Sequence, residues 1–347
     1  MSLSRPIITF DRIDKPYLPG ETVTVTVVIL NKEVRNARAV LIRWRGKSFT
    51  WGINSSDCYC QKDHFRGFEI VWVSMDGKHQ MPIGYHTFKF SITLPVDIPP
   101  TFRGGNGRNN YKVKVEIDRP WKFNIKETKE IMVTHSLNID SKWISTGYYF
   151  RCCFNSAPFF STGPISLKVV VPNLVFTAGQ YVELRFEIIN DSATHIQEIF
   201  TRFGKQTHYH ARNQLAPCQS FCFDNCPVPL NGQKNTRAYI GEGKIVKCHV
   251  APHSIESFVM GFEIPTAATT PSFHTGLITY GYFMSFGVVT KWFFQPSMRA
   301  TVYIGATPGD DVEIEETKRK MEKMEQVETI VEASPPPSYD DCLKNCT

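Results

Sequence analysis

Apolar and polar residues alternate from Tyr17 to Asn31, YLPGETVTVTVVILN. Val23, Val25, Val27 and Ile29 fall on one side, and Thr22, Thr24, Thr26 and Val28 on the other. A period of two carried by β-branched residues predicts a strand with one buried face. Pro19 and Gly20 supply the turn that feeds it. A one-residue slip would expose all four buried residues, so the register is expected to be fixed. The same pattern returns in VFTAGQYVELRFEIIN, Val175 to Asn190. Gly20 matches Gly179. In the same register Val23, Val25, Val27 and Ile29 fall on Val182, Leu184, Phe186 and Ile188, and Asn31 on Asn190. Without a gap, Val40, Arg43 and Trp44 fall on Ile199, Arg202 and Phe203. A later segment also recurs. LPVDIPPTF (Leu94 to Phe102), then Tyr111, answers IPTAATTPSF (Ile264 to Phe273), then Gly276 and Tyr280. Three segments recurring in one order predict two copies of one β domain.

Between these landmarks, Arg35–Thr50, Val71–Ser74, Gly84–Leu94, Tyr111–Ile117 and Lys126–Val133 read as strands, with Pro95–Asn110 as a loop. Helical periodicity is almost absent, so each copy is expected to be a β-sandwich. The expected division is residues 1–140 for the first domain, 141–163 for a connecting segment and 164–304 for the second domain. Residues 305–347 are expected to form a flexible, mostly disordered charged tail. Val302 to Ile304 should close the second copy, and Arg212 to Gln233 is read as an irregular insertion. In the tail, Met321, Met324, Val327 and Val331 stand at helical spacing, so a short amphipathic helix and a disordered charged tail are both open readings.

Composition narrows the class. The 347 residues have room for two domains and a tail, and 25 Phe, 13 Tyr and 6 Trp suit large β cores. A net charge of +6 permits contact with acidic membrane surfaces or acidic partners but falls short of a nucleic-acid signature. MSLSRPIITF lacks the apolar stretch of a signal peptide. The most apolar run, Gly276 to Val289, is broken by Thr279 and Ser285, so no membrane-spanning helix is expected. A cytoplasmic protein with reduced cysteines follows as the expectation.

The sharpest chemical signal is PPPSY. Pro336, Pro337, Ser338 and Tyr339 form a PPxY motif, preceded by Pro335. Consecutive prolines favour the polyproline II conformation before any partner arrives, and WW domains bind such segments in aromatic-lined grooves. Its place in the charged tail, outside both domains, suits a ligand peptide. Two basic strand faces form a second candidate. Arg43, Arg45 and Lys47 alternate around Trp44, and Lys112 and Lys114 around Val113; both sets are read as facing acidic phospholipid headgroups. Cys218, Cys222 and Cys226 stand four apart, with Cys248 and His249 downstream. Zinc takes four N or S ligands, but this spacing is not the two-residue knuckle of most zinc sites. These cysteines are therefore read as reduced loop or core residues, with zinc a minor alternative; no cofactor is expected. Cys58, Cys60 and His64 are a sparser set. His208 and His210 alternate about Tyr209 and are read as surface residues. Cys342 and Cys346 could carry lipid, although not as a prenylation box. No GxSxG, P-loop or HExxH occurs, and Gly104, Gly105 and Gly107 precede a strand, so no enzyme is expected.

With both copies and the PPPSY tail in place, the chain resembles the arrestin-domain-containing proteins (alpha-arrestins). The resemblance rests on YLPGETVTVTVVILN, IPPTF with YKVKVEI, VFTAGQYVELRFEIIN and IPTAATTPSFHTGLITYGYF. It covers about 300 residues. It implies an all-β protein of two consecutive seven-stranded, immunoglobulin-like sandwiches. It also implies an adaptor role: the arrestin domains engage membrane cargo, receptors or transporters, and PPxY recruits WW-domain HECT-type ubiquitin ligases. Cargo is then ubiquitinated, internalised and sorted, with the adaptor recruited to plasma membrane and endosomes. Relatives often carry two PPxY motifs, whereas this chain has one, which lowers the expected avidity. The alternative is a ligase-independent scaffold or sorting protein of the arrestin or retromer-associated fold. A zinc-dependent binder or metalloenzyme built on the cysteine insertion is the third reading.

Overall fold

The computed structural model describes residues 5–53, 60–75, 77–134, 148–155, 163–210, 221, 223, 226, 232–290 and 295–305. Among them there is no α-helix, and the strands follow the alternation of the sequence. Two compact units result. One takes Met1–His135, Thr207–Thr236 and Phe273–Tyr280; the other takes Ser136–Gln206, Arg237–Ser272 and the chain from Gly281.

The first copy pairs β1 (Ile7–Phe10), β2 (Thr22–Asn31) and β7 (Gly84–Thr93) in one sheet, in the order β1-β2-β7. Its second sheet runs in the order β10-β9-β4-β5. These strands are β4 (Ala39–Thr50), β5 (Cys60–Val73), β9 (Gly107–Asp118) and β10 (Ile125–Ile131), with the short β8 (Phe102–Gly104) on β9. A two-stranded ribbon, β3 (Arg35–Asn36) with β6 (Gln80–Met81), completes it. Val23, Val25, Val27 and Ile29 of β2 meet Val40 and Ile42 of β4 and Val113, Val115 and Ile117 of β9 in one buried cluster. Val23 to Ile29 have no exposed surface at these alternate positions, as the period of two requires. Of the expected Pro95–Asn110 loop, residues 95–101 are irregular as expected, whereas Phe102 onward forms β8 and the first residues of β9, a hairpin closed at Gly104 and Gly107.

The second copy repeats the plan. β11 (Tyr148–Asn155), β12 (Pro164–Val171), β14 (Tyr181–Asn190) and β18 (Ser254–Glu263) make a four-stranded antiparallel sheet. β11 lies within the segment expected to connect the copies. The other sheet has the order β13-β21-β20-β15-β16. It contains β13 (Val175–Phe176), β15 (Ile196–His210), β16 (Gln233–Tyr239), β20 (Ile278–Thr290) and β21 (Ser297–Ile304). Two further strands, β17 (Lys244–Val250) and β19 (Phe273–His274), pair with β15 and β20. β20 is buried at all thirteen positions, so the most apolar run of the sequence is a strand covered on both faces. Val182, Leu184, Phe186 and Ile188 are buried as their counterparts on β2 are. The all-β, two-sandwich expectation therefore holds.

Candidate functional site

The expected basic residues share one face because of the register between four strands. On β4, Arg43 and Arg45 lie directly opposite Lys114 and Lys112 of β9. On the other side of β4, Arg45 faces Arg66 and Arg43 faces Phe68 of β5. The opposite face carries the buried Val40, Ile42, Val113 and Val115, so the charged side chains point away from the core. Like charges directly across a ladder repel, and interleaved carboxylates offset them. Glu116 receives Arg43 at 2.9 Å, Lys114 at 3.4 Å and Lys126 at 3.5 Å. Asp63 takes both the Nε and Nη2 of Arg45, at 3.0 and 2.7 Å. Glu130 holds Lys112 at 3.2 Å together with Arg103. Lys47 reaches Gln61 Oε1 at 3.4 Å and sits over the Phe49 ring. Burial, with Arg45 next to it, pulls its ammonium below the usual lysine range. The Asn124 amide donates to Glu116 at 2.9 Å. With Lys114 and Lys126, it holds that carboxyl below its ordinary value against the cost of burial. The face is thus a lattice of cations and anions rather than a bare row of lysines, with cations in excess. Phe68 and Ile70 stand exposed beside it.

A second cluster sits at the end of β15. His208 and His210 are two residues apart, so both rings point the same way. They are not surface residues: their exposures are 1% and 2%. The alternation identified a common face correctly, but that face is turned inward. The two Nε2 atoms lie 2.7 Å apart. His208 Nδ1 is 2.5 Å from Asn235 Oδ1, and His210 Nδ1 is 2.9 Å from the Gly276 carbonyl. Cys226 Sγ approaches His210 Nε2 to 3.4 Å. Desolvation pushes the His208 imidazole down to about 4 and lowers His210 as well, so both rings are neutral at pH 7. The sequence reading grouped Cys226 with Cys218 and Cys222. It missed the histidines because they stand 16 and more residues away on a strand. An alternating His-x-His followed by a cysteine-rich insertion was the available signal.

The remaining candidates separate. Cys218, Cys222, Cys58 and the tail residues Pro336, Pro337, Ser338 and Tyr339 lie outside the described residues, as does the Met321–Val331 segment. His64 is bonded to Ser48 Oγ at 2.6 Å, and burial pushes it down to about 4. Cys248 is buried, which raises its thiol to about 11. Among the described residues no helix is long and apolar enough to cross a membrane.

Comparison with known proteins agrees with this architecture. Residues 7–140 match the family description "Arrestin (or S-antigen), N-terminal domain", and residues 161–309 match "Arrestin (or S-antigen), C-terminal domain". The chain is similar to "Arrestin domain-containing protein 17" of Caenorhabditis elegans, with 25% identity over 234 residues. That alignment takes in 61% of this chain and 54% of the relative, so the chain spans about half the length of the curated relative it matches. With two sandwiches, both family domains in order and an arrestin-domain relative, the chain belongs to the arrestin-domain family.

Proposed function

We propose that this arrestin-domain protein is a non-enzymatic trafficking adaptor that links membrane cargo to WW-domain HECT-type ubiquitin ligases. Arrestin-domain proteins are generally adaptors, and the finer assignment is supported chiefly by one observation. The sequence PPPSY at 335–339 follows the family-matched residues, which end at 309, and a charged stretch separates the two. In this reading residues 1–140 and 164–304 serve as the cargo-engaging domains, and 305–347 as the tether. Pro336 and Pro337 pack in a WW groove, and Tyr339 fills the pocket beside it. Ubiquitination, endocytosis and endosomal sorting of the cargo then follow from the proximity of the ligase.

The contact is small beside the roughly 800 Å² per partner of a standard interface. A single domain therefore binds modestly, and one substitution is enough to abolish binding. Calorimetry of the peptide Ser334–Leu343 against a panel of WW domains tests this. The native peptide should bind at least one domain, and the Tyr339→Ala peptide should bind none. Equal binding of the two peptides removes the ligase from the proposal.

The cation-rich face of β4, β5, β9 and β10 is offered to acidic headgroups in the same reading. Each cation near such a surface is worth about 1 kcal/mol and is screened by salt. Co-sedimentation with vesicles should rise with anionic lipid and fall for Arg43→Ala/Arg45→Ala. Sedimentation indifferent to anionic lipid would falsify the membrane role of this face.

A further inference from the structure

The hydrogen bonds around His208 and His210 assign their protons. The Asn235 amide is oriented by its own Nδ2, which donates to the Phe223 carbonyl at 2.8 Å. Its Oδ1 is therefore the acceptor that faces His208 Nδ1. The Gly276 carbonyl can only accept, so His210 Nδ1 also carries a proton. In a neutral imidazole the other nitrogen then bears the lone pair. Two such lone pairs confront each other at 2.7 Å inside the protein. Placing a proton between them would charge a pair of rings that are almost wholly buried. A divalent cation instead accepts both lone pairs at once and is neutralised in part by a thiolate. Cys226 Sγ is in place to supply one.

We propose that His208 Nε2, His210 Nε2 and Cys226 Sγ bind one zinc ion. The three donor atoms lie within 4.8 Å of one another. Zinc–nitrogen bonds of roughly 2.0–2.1 Å and a zinc–sulfur bond of about 2.3 Å set tetrahedral separations near ~3.3 Å (N to N) and ~3.6 Å (N to S). The observed 2.7 Å between the rings and 3.4 Å from His210 to the sulfur fall just short of these values, and the remaining donor pair lies within 4.8 Å. Both histidines donate Nδ1–H to an oxygen, the outer-shell arrangement that orients metal-bound imidazoles. The mixed nitrogen and sulfur set suits zinc rather than calcium or magnesium, which take oxygen. On binding, Cys226 releases its thiol proton to solvent and the thiolate donates to the metal. The fourth position is left for water or a further donor. The ion ties the end of β15 to Cys226 and acts as a structural clip, independent of the PPxY tail.

The test uses the untagged full chain from zinc-supplemented cells, analysed for zinc and copper by mass spectrometry. About one equivalent of zinc per chain is expected, with zinc lost in His208→Ala and His210→Ala. A second measurement covers histidine variants that do not fold. Cobalt-loaded protein should show a thiolate-to-cobalt charge-transfer band, absent in Cys226→Ser of unchanged circular dichroism. Asn235→Ala, which removes the acceptor that orients His208 along with the donor to the Phe223 carbonyl, should weaken zinc by roughly 10–100-fold against a chromophoric chelator. Wild-type chain that carries neither zinc nor cobalt overturns the proposal. So does copper in place of zinc, or a charge-transfer band that survives Cys226→Ser.

Discussion

β2 and β14 are the same strand written twice, and they differ where they end. Their inward residues are equally buried, four aliphatic side chains on β2 against Val182, Leu184, Phe186 and Ile188 on β14. Both are entered through a glycine in the left-handed region, Gly20 at φ 85° and Gly179 at φ 80°. Both finish on a buried asparagine, Asn31 and Asn190. Asn190 is well bonded: its Nδ2 donates to the Thr194 and Ala251 carbonyls, each at 2.9 Å. Its Oδ1 accepts from Ser192 N at 3.2 Å and Ser192 Oγ at 2.6 Å. Asn31 donates to the Pro82 carbonyl at 3.0 Å, and its buried Oδ1 has no hydrogen-bond partner among the described residues. Apolar alternation alone reproduces the core twice. A buried polar group depends on neighbours brought in from elsewhere in the chain, and those were not duplicated.

The comparison is best broken at the core first. Leu184→Ala should cost about 2–5 kcal/mol, and Val25→Ala less, because a smaller side chain leaves a smaller cavity. Urea unfolding of each variant measures both. An equal or greater loss at Val25 would show that the two copies do not tolerate cavities alike. The strand ends come next. Asn190→Ala removes two donated and two accepted hydrogen bonds at a buried site and should cost about 3 kcal/mol. Asn31→Ala removes one bond and one unpaired oxygen and should cost about 1 kcal/mol or less. Equal costs would mean that the network around Asn190 adds nothing. Acid sharpens the contrast from a different side. Burial pushes His64, on β5 of the first copy, below its ordinary 6.5 to about 4. The unfolded chain therefore binds a proton in this window that the folded chain refuses. Stability contributed by neutral His64 is full above pH 6.5 and falls as pH drops toward 4, by at most about 1.4 kcal/mol per pH unit for one proton. His64→Gln should flatten that limb in a urea series run at successive pH values. An unchanged slope would place the acid sensitivity elsewhere.

Much of the fold was legible because a sheet with one buried face writes its register into every second residue. Tyr111–Ile117 and Gly84–Leu94 emerge as β9 and β7 with small changes at their ends. Cys60–Ile70 was not legible. On β5 most positions are half-buried or exposed on both faces, so its residues carry no strong alternation. Pairing with β4 through two register shifts makes it a strand. β11 was hidden for a related reason: it is held by its ladder to β12, whose register runs from Tyr148 opposite Val171 to Asn155 opposite Pro164.

The sequence by itself determined the two copies, their buried stripes, the turns at Gly20 and Gly179 and the PPxY segment, since each is a local pattern of size, branching and polarity. Tertiary structure alone decided which charges meet. Only the four-strand register brings Arg43 to Glu116, Arg45 to Asp63 and Lys112 to Glu130, because ion pairs depend on distance across the sheet and leave no trace along the chain. It also decided that His208 and His210 face inward toward Cys226. Alternation says that two residues share a face, but only the elements packed against that face decide whether it meets water.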